Sequence, residues 1–157
     1  MRQPVQQLIQ LYQNNLFTAA FNICQNQMDA EDAVQETFVQ YYTSRKEFEN
    51  EQHIRAWLLR VVINKAKKYK QDFLEEKIKC SLEDYMETLS FPDSRSRDLF
   101  EEVMKLPDKY RIVIHLFYYE DYSVREIAEI LKLSESNVKV RLSRGRALLK
   151  DSLKEEW

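Results

Sequence analysis

The chain has 157 residues, of which 44% are hydrophobic and 32% charged, with a formal net charge of −2, one glycine and three prolines. It is too apolar for a disordered chain, too poor in turn residues for hairpins and sheets, and without the unbroken apolar run of about 20 residues that a membrane helix needs. What remains is an all-α protein of one medium or two small domains, and with no signal-peptide pattern a cytoplasmic location is expected.

In chain order, Leu8, Ile9, Tyr12, Leu16, Ala20, Phe21 and Cys24 recur at spacings of three and four and predict an opening helix. Cys24 reads as a small core residue: Cys24 and Cys80 are far apart, with no spacing that suggests zinc or a disulfide framework. Asp29 is a candidate cap for a second helix, DAEDAVQETFVQYYTSR, whose predicted buried stripe is Ala30, Ala33, Val34, Thr37, Phe38 and Tyr41. Opposite lie Asp32, Gln35, Glu36, Val39 and Thr43. A solvated face and a protein interface are both open there, because an isolated exposed valine needs no cause.

A third helix is predicted from about His53 to Phe73, with Leu58, Val62, Ala66, Tyr69 and Phe73 inside and Trp57 and Val61 at the margin. Its far side carries Arg60, Asn64, Lys67 and Gln71, bordered by Lys68 and Lys70. Basic charge interleaved with an amide suits a helix that tracks phosphates and touches bases, and it equally suits a solvated surface. Between about Lys79 and Ser96 the periodicity breaks around Pro92, which predicts a linker, with a possible short helix after Ser81 and possible caps at Asp93 and Ser94.

From Leu106 to Lys150 the pattern is that of a helix-turn-helix. Ser123 and Glu126 have capping-box spacing, and Ile127, Ala128 and Leu131 follow at helical intervals. Lys132, Leu133 and Ser134 make the turn, where Ser134 can cap the second helix. On that helix Val138, Leu142, Gly145 and Leu149 form one stripe expected to pack on the first helix. Gly145 marks either a close backbone approach or a tolerated cost of about 1 kcal/mol. Turned outward are Ser136, Lys139, Val140, Ser143 and Arg144, flanked by Arg141 and Arg146. Cations there can meet phosphates or guanine, Ser and Asn137 can bond base edges, and Val140 can meet a thymine methyl.

Both halves resemble one family, the extracytoplasmic-function group of bacterial RNA polymerase sigma factors within the sigma-70 family. DAEDAVQETFVQYY resembles its polymerase-binding segment, HIRAWLLRVVINKAKKYK its upstream-reading continuation, and LPDKYRIVIHLFYYEDYSVREIAEILKLSESNVKVRLSRGRALL its fourth conserved region. The resemblance implies two small helical domains joined by a linker: residues 1–78 for core polymerase and the minus-ten element, 79–95 as linker, and 96–157 as the helix-turn-helix for the minus-thirty-five element. It implies that Asp32, Gln35, Glu36 and Val39 bind polymerase. Arg60, Asn64, Lys67 and Lys68 would contact the minus-ten element, and the stretch from Phe48 to His53 would hold an extruded base. Lys109 and Arg111 would contact DNA backbone, and the helix from Ser136 to Arg146 would read the upstream element.

Lys68, Lys132 and Val140 depart from residues common in the family at these places, which bears on the DNA sequence preferred. The expected partners are core polymerase, promoter DNA and an anti-sigma protein, with no cofactor, no metal, no small-molecule substrate and no enzymatic activity. His53 and His115 lie in unrelated segments, and His115 sits on an apolar helix as a core or boundary residue. The competing reading is a one-component repressor or activator whose front helices dimerise or bind a ligand.

Overall fold

The structure is a computed structural model that describes residues 2–71, 86–87 and 89–154. It divides into two compact units, Met1–Met86 and Glu87–Trp157, and among the described residues every regular element is helical.

The first unit is a three-helix assembly of α1 (Val5–Cys24), α2 (Gln27–Thr43) and α3 (Glu51–Gln71). Its helices end and begin without glycine. Gln25 closes α1 with a left-handed φ of 53°, its N–H bonding the Phe21 carbonyl, a role usually given to glycine. Asn26 then caps α2, its Oδ1 accepting from the Asp29 N–H at 2.9 Å. The sequence expectation of Asp29 as the cap is therefore corrected: Asp29 lies in the first turn, where its charge still favours the helix dipole. Similarly, Asn50 Oδ1 accepts from the His53 N–H, so α3 starts at Glu51 rather than His53.

All six residues of the predicted α2 stripe are buried. The buried side of α3 is wider than predicted, adding Ile54, Leu59 and Ile63 to Leu58, Val62 and Ala66, because α3 packs against both α1 and α2. Tyr69 and Trp57 lie half-buried at the margins. Phe73, Cys80 and residues 82–85 of the possible helix after Ser81 lie outside the described residues, while Met86 and Glu87 are helical.

The second unit runs α4 (Ser94–Met104), α5 (Asp108–Ile114), a π-helical turn (His115–Tyr119), α6 (Val124–Leu131) and α7 (Glu135–Lys154). Asp93 caps α4 through the Ser96 N–H at 2.7 Å, and that bond holds its carboxyl below the ordinary range. The Ser123–Glu126 capping box forms with both hydrogen bonds in place. Lys132 turns the chain with φ 56°, the Leu133 N–H reaches back to the Ala128 carbonyl, and Ser134 Oγ accepts from the Asn137 N–H.

Val138, Leu142 and Gly145 are buried as expected, but Gly145 meets α5 rather than the first helix of the motif. A Cβ built there would stand 2.6 Å from Ile114 Cδ1 and 3.3 Å from Tyr110 Cβ. The glycine is thus a close approach of α7 to α5. His115 is a core residue, 4% exposed, with Nε2 3.5 Å from the buried Glu120 carboxylate.

Candidate functional site

Two outward cationic faces and one acidic face emerge, each carried by a helix whose opposite side is core. On α7, Ser136, Lys139, Val140, Ser143 and Arg144 are all exposed, diametrically opposite Val138, Leu142 and Gly145. Val140 keeps 44% of its surface in water with cations on either side. Capping by Ser134 fixes where α7 begins, and the α6 turn fixes its direction, so the five outward side chains share one rigid cylinder.

The flanking residues are partly committed. Arg141 donates from Nε to Asn137 Oδ1 at 3.1 Å, which ties together two residues expected to act separately on DNA. Arg146 donates from Nε to the Tyr118 hydroxyl at 2.6 Å and lies 5.5 Å from the Phe117 and Tyr118 ring centroids. This aromatic shelf is supplied by the π-helical turn, a local widening that sequence periodicity does not signal.

Arg111 is a correction. Expected at the DNA backbone, it is 3% exposed and donates from Nη1 to the carbonyls of Met104 (3.2 Å) and Leu106 (2.8 Å), while Nη2 meets Asp108 at 2.6 Å. It neutralises the end of α4 from inside and has no surface to offer a phosphate. Lys109 is exposed, with Nζ 5.1 Å from the Tyr110 ring centroid.

In the first unit, Asn64, Lys67 and Lys68 are exposed on α3 and Arg60 is half-buried. The stretch before α3 is aromatic: Phe48 is buried, stacked near Tyr41 at 5.8 Å and edge-on to Trp57 at 5.6 Å and His53 at 5.1 Å.

On the neighbouring helix, Asp32, Gln35, Glu36 and Val39 come together along one groove, which α3 completes with Lys65 and Tyr69. Tyr69 shares this groove with Glu36, and its hydroxyl is pushed up to about 12 by burial and by the neighbouring carboxylates of Glu36, Asp32 and Asp29. Asp32, Gln35 and Val39 also belong to a longer exposed stripe at spacings of four, three, four and three, from Met28 to Tyr42. Met28, Val39 and Tyr42 are 74%, 62% and 72% exposed, a run of bare apolar surface that a purely solvated helix lacks. Met28 and Tyr42 escaped the sequence analysis; their signal was that same spacing read outward instead of inward.

A second feature also escaped it. In the second unit a cavity of about 600 Å³ is lined by Leu99, Val103, Ile114, Tyr118, Leu149 and Leu153, together with Arg146 and Lys150.

A helix-turn-helix with a solvent-facing basic recognition helix, in a chain whose other helical unit presents its own basic face and an acidic-apolar groove, defines a DNA-binding transcription factor with a protein-docking module. The description "Sigma-70 region 2" matches residues 8–72, and "Sigma-70, region 4" matches residues 96–149. The RNA polymerase sigma factor SigV of Bacillus subtilis (strain 168) is 30% identical, over 92% of this chain and 88% of its own length. The ECF RNA polymerase sigma factor SigW of the same organism is 28% identical, over 94% and 88%. Among solved structures, CnrH in complex with the cytosolic domain of CnrY is similar at a TM-score of 0.69 and 26% identity, covering 98% of this chain and 89% of that one. RpoE in complex with the anti-sigma factor NepR from Bartonella quintana shares the fold at a TM-score of 0.68, covering 95% of this chain and 96% of that one. The chain belongs to the extracytoplasmic-function sigma factors of the sigma-70 family and is a promoter-directing transcription initiation factor.

Proposed function

We propose that the first unit docks on the RNA polymerase core through Asp32, Gln35, Glu36 and Val39 and engages the minus-ten element through Arg60, Asn64, Lys67 and Lys68. The second unit reads the minus-thirty-five element with Ser136, Asn137, Lys139, Val140, Ser143 and Arg144, steadied by Arg141 and Arg146, and Lys109 contributes a backbone contact. The functional boundaries are 1–78, 79–95 and 96–157. The observation that carries this reading is the outward cationic face of α7, with Lys139, Val140 and Arg144 exposed opposite the buried Val138, Leu142 and Gly145.

The mechanism is binding and strand separation in the cytoplasm, with no bond chemistry by this chain. Opening a duplex costs a few kcal/mol per disrupted step. Holding an extruded base in the stretch from Phe48 to His53 and polymerase contacts offset that cost. A net charge of −2 leaves the free chain a weak DNA ligand, and attachment to polymerase raises the effective concentration of each module at its element. An anti-sigma protein is a fitting regulator, and the mainly apolar cavity that Arg146 and Lys150 help to line suits an amphipathic helix from a protein partner.

The test is transcription with purified core polymerase. A promoter-dependent transcript that requires this chain is the expected result. Tight operator binding by a dimer that only blocks transcription would overturn it in favour of a one-component repressor.

A further inference from the structure

Glu36 is an exposed side chain at the edge of the α2 groove. A glutamate so placed samples several rotamers, and a partner that binds it must freeze them, at a cost of about 0.5–1.5 kcal/mol for a side chain of this kind. Here a neighbour stands where it can constrain the rotamer. Tyr69, half-buried on α3, lines the same groove across the helix pair, near enough for the Glu36 carboxylate to raise the ionisation of its hydroxyl. Lys65, one turn earlier on α3, lines the groove as well and adds a cation beside the acids.

We propose that Tyr69 is a positioning residue of the docking groove: its hydroxyl donates to the Glu36 carboxylate and presents it, preorganised, to the polymerase core. The proposal rests on the reading of that groove as the polymerase-docking surface. Tyr69 stays protonated far above working pH, so it is a permanent donor toward Glu36 and never a competing negative charge. Because α3 also carries Lys67 and Lys68, the residue that sets the docking carboxylate lies next in sequence to two cations assigned to DNA.

The experiment measures affinity of the full chain for purified core polymerase in a double-mutant cycle of Tyr69→Phe and Glu36→Ala, with the Asp32→Lys/Glu36→Lys variant alongside. Tyr69→Phe keeps the ring and its packing, and circular dichroism melting confirms the fold. The expected result is a dissociation constant raised about three- to tenfold by Tyr69→Phe, and no further loss when that change is added to Glu36→Ala. Wild-type affinity of Tyr69→Phe, or losses that simply add, would overturn the positioning role while the charge-reversed variant still fails to bind, leaving the groove reading intact. Wild-type binding by the charge-reversed variant would overturn the groove reading and the proposal with it. A spectroscopic check is independent of affinity: Glu36→Ala should lower the ionisation midpoint of Tyr69 from about 12, followed by NMR against the Tyr69→Phe spectrum. An unchanged midpoint would overturn the contact itself.

Discussion

The Arg111 guanidinium gives N–H bonds to the last carbonyl of α4, Met104, and to that of Leu106 just beyond it, and meets Asp108 with a third contact. Those carbonyls have no intrahelical partner of their own, so removing the cation leaves buried acceptors unpaired at about 1–3 kcal/mol each. Arg111→Ala should therefore destabilise the second unit by about 3 kcal/mol, seen as a lower midpoint in denaturant titration. A stable variant defective only in DNA binding would contradict that role. In sequence, Arg111 stood beside Lys109 as one of two apparent surface cations, and only the tertiary return of α4 separates them. Lys132 offers the reverse case. It holds φ 56° at the end of α6, where a side chain costs about 1–2 kcal/mol relative to glycine. Lys132→Gly should raise stability by about 0.5–1 kcal/mol, after the looser unfolded chain is counted. Val140 belongs to this scale too: Val140→Ser should change promoter preference by about 1 kcal/mol at one base position if it meets a thymine methyl, measurable by competition between promoters differing at that base.

At the scale of elements, amphipathic periodicity was legible because each helix of the first unit buries one face: the α2 stripe is recovered residue for residue. Helix ends were less legible, since Asn26, not Asp29, and Asn50, before the predicted start, supply the caps. Several polar residues in a row can cap, and only the packed helix axis selects among them. The π-helical turn was not legible because apolar periodicity does not signal it, and the partner of Gly145 was not because it follows from how α5 is placed against α7. Gly145→Ala gains about 1 kcal/mol of helix propensity but drives a methyl into Ile114 Cδ1 at 2.6 Å. Overpacking of this kind costs about 1–3 kcal/mol, so the variant should be neutral to destabilised. In an Ile114→Val background, which removes Cδ1, the same change should be stabilising, a sign reversal visible in chemical denaturation.

Alkaline stability is also an element-scale property. Tyr12, raised to about 12 by burial and by its bond to Glu51, and Tyr69, raised to about 12, are both protonated donors that bridge helices of the first unit or their edges. A raised folded value means the stabilisation is complete below the ordinary tyrosine value of about 10 and is lost as pH climbs from there toward 12. Melting temperature should fall across that window, and less so in Tyr12→Phe and Tyr69→Phe.

For the whole molecule, charge is partitioned rather than absent: 24 basic and 26 acidic residues leave a small net charge, while the outward faces of α3 and α7 are basic and the α2 groove is acidic. The partition was legible from the sequence in the outward cations of the third helix and of the second helix of the helix-turn-helix, because each set falls on a single helix. If the two basic faces act on separate elements while polymerase holds both units, their energies should add within about 0.5 kcal/mol. Lys67→Ala and Lys139→Ala are then the informative pair. Each removes one cation, so each should lower the slope of log affinity against log salt by about 0.9 if it meets a phosphate, and the double variant should lower it by about twice that amount. Promoter binding by the reconstituted holoenzyme, titrated at several salt concentrations, measures both quantities. A double variant no worse than the weaker single one would mean that one unit carries promoter binding alone, and the division of labour between the two cationic helices would have to be abandoned.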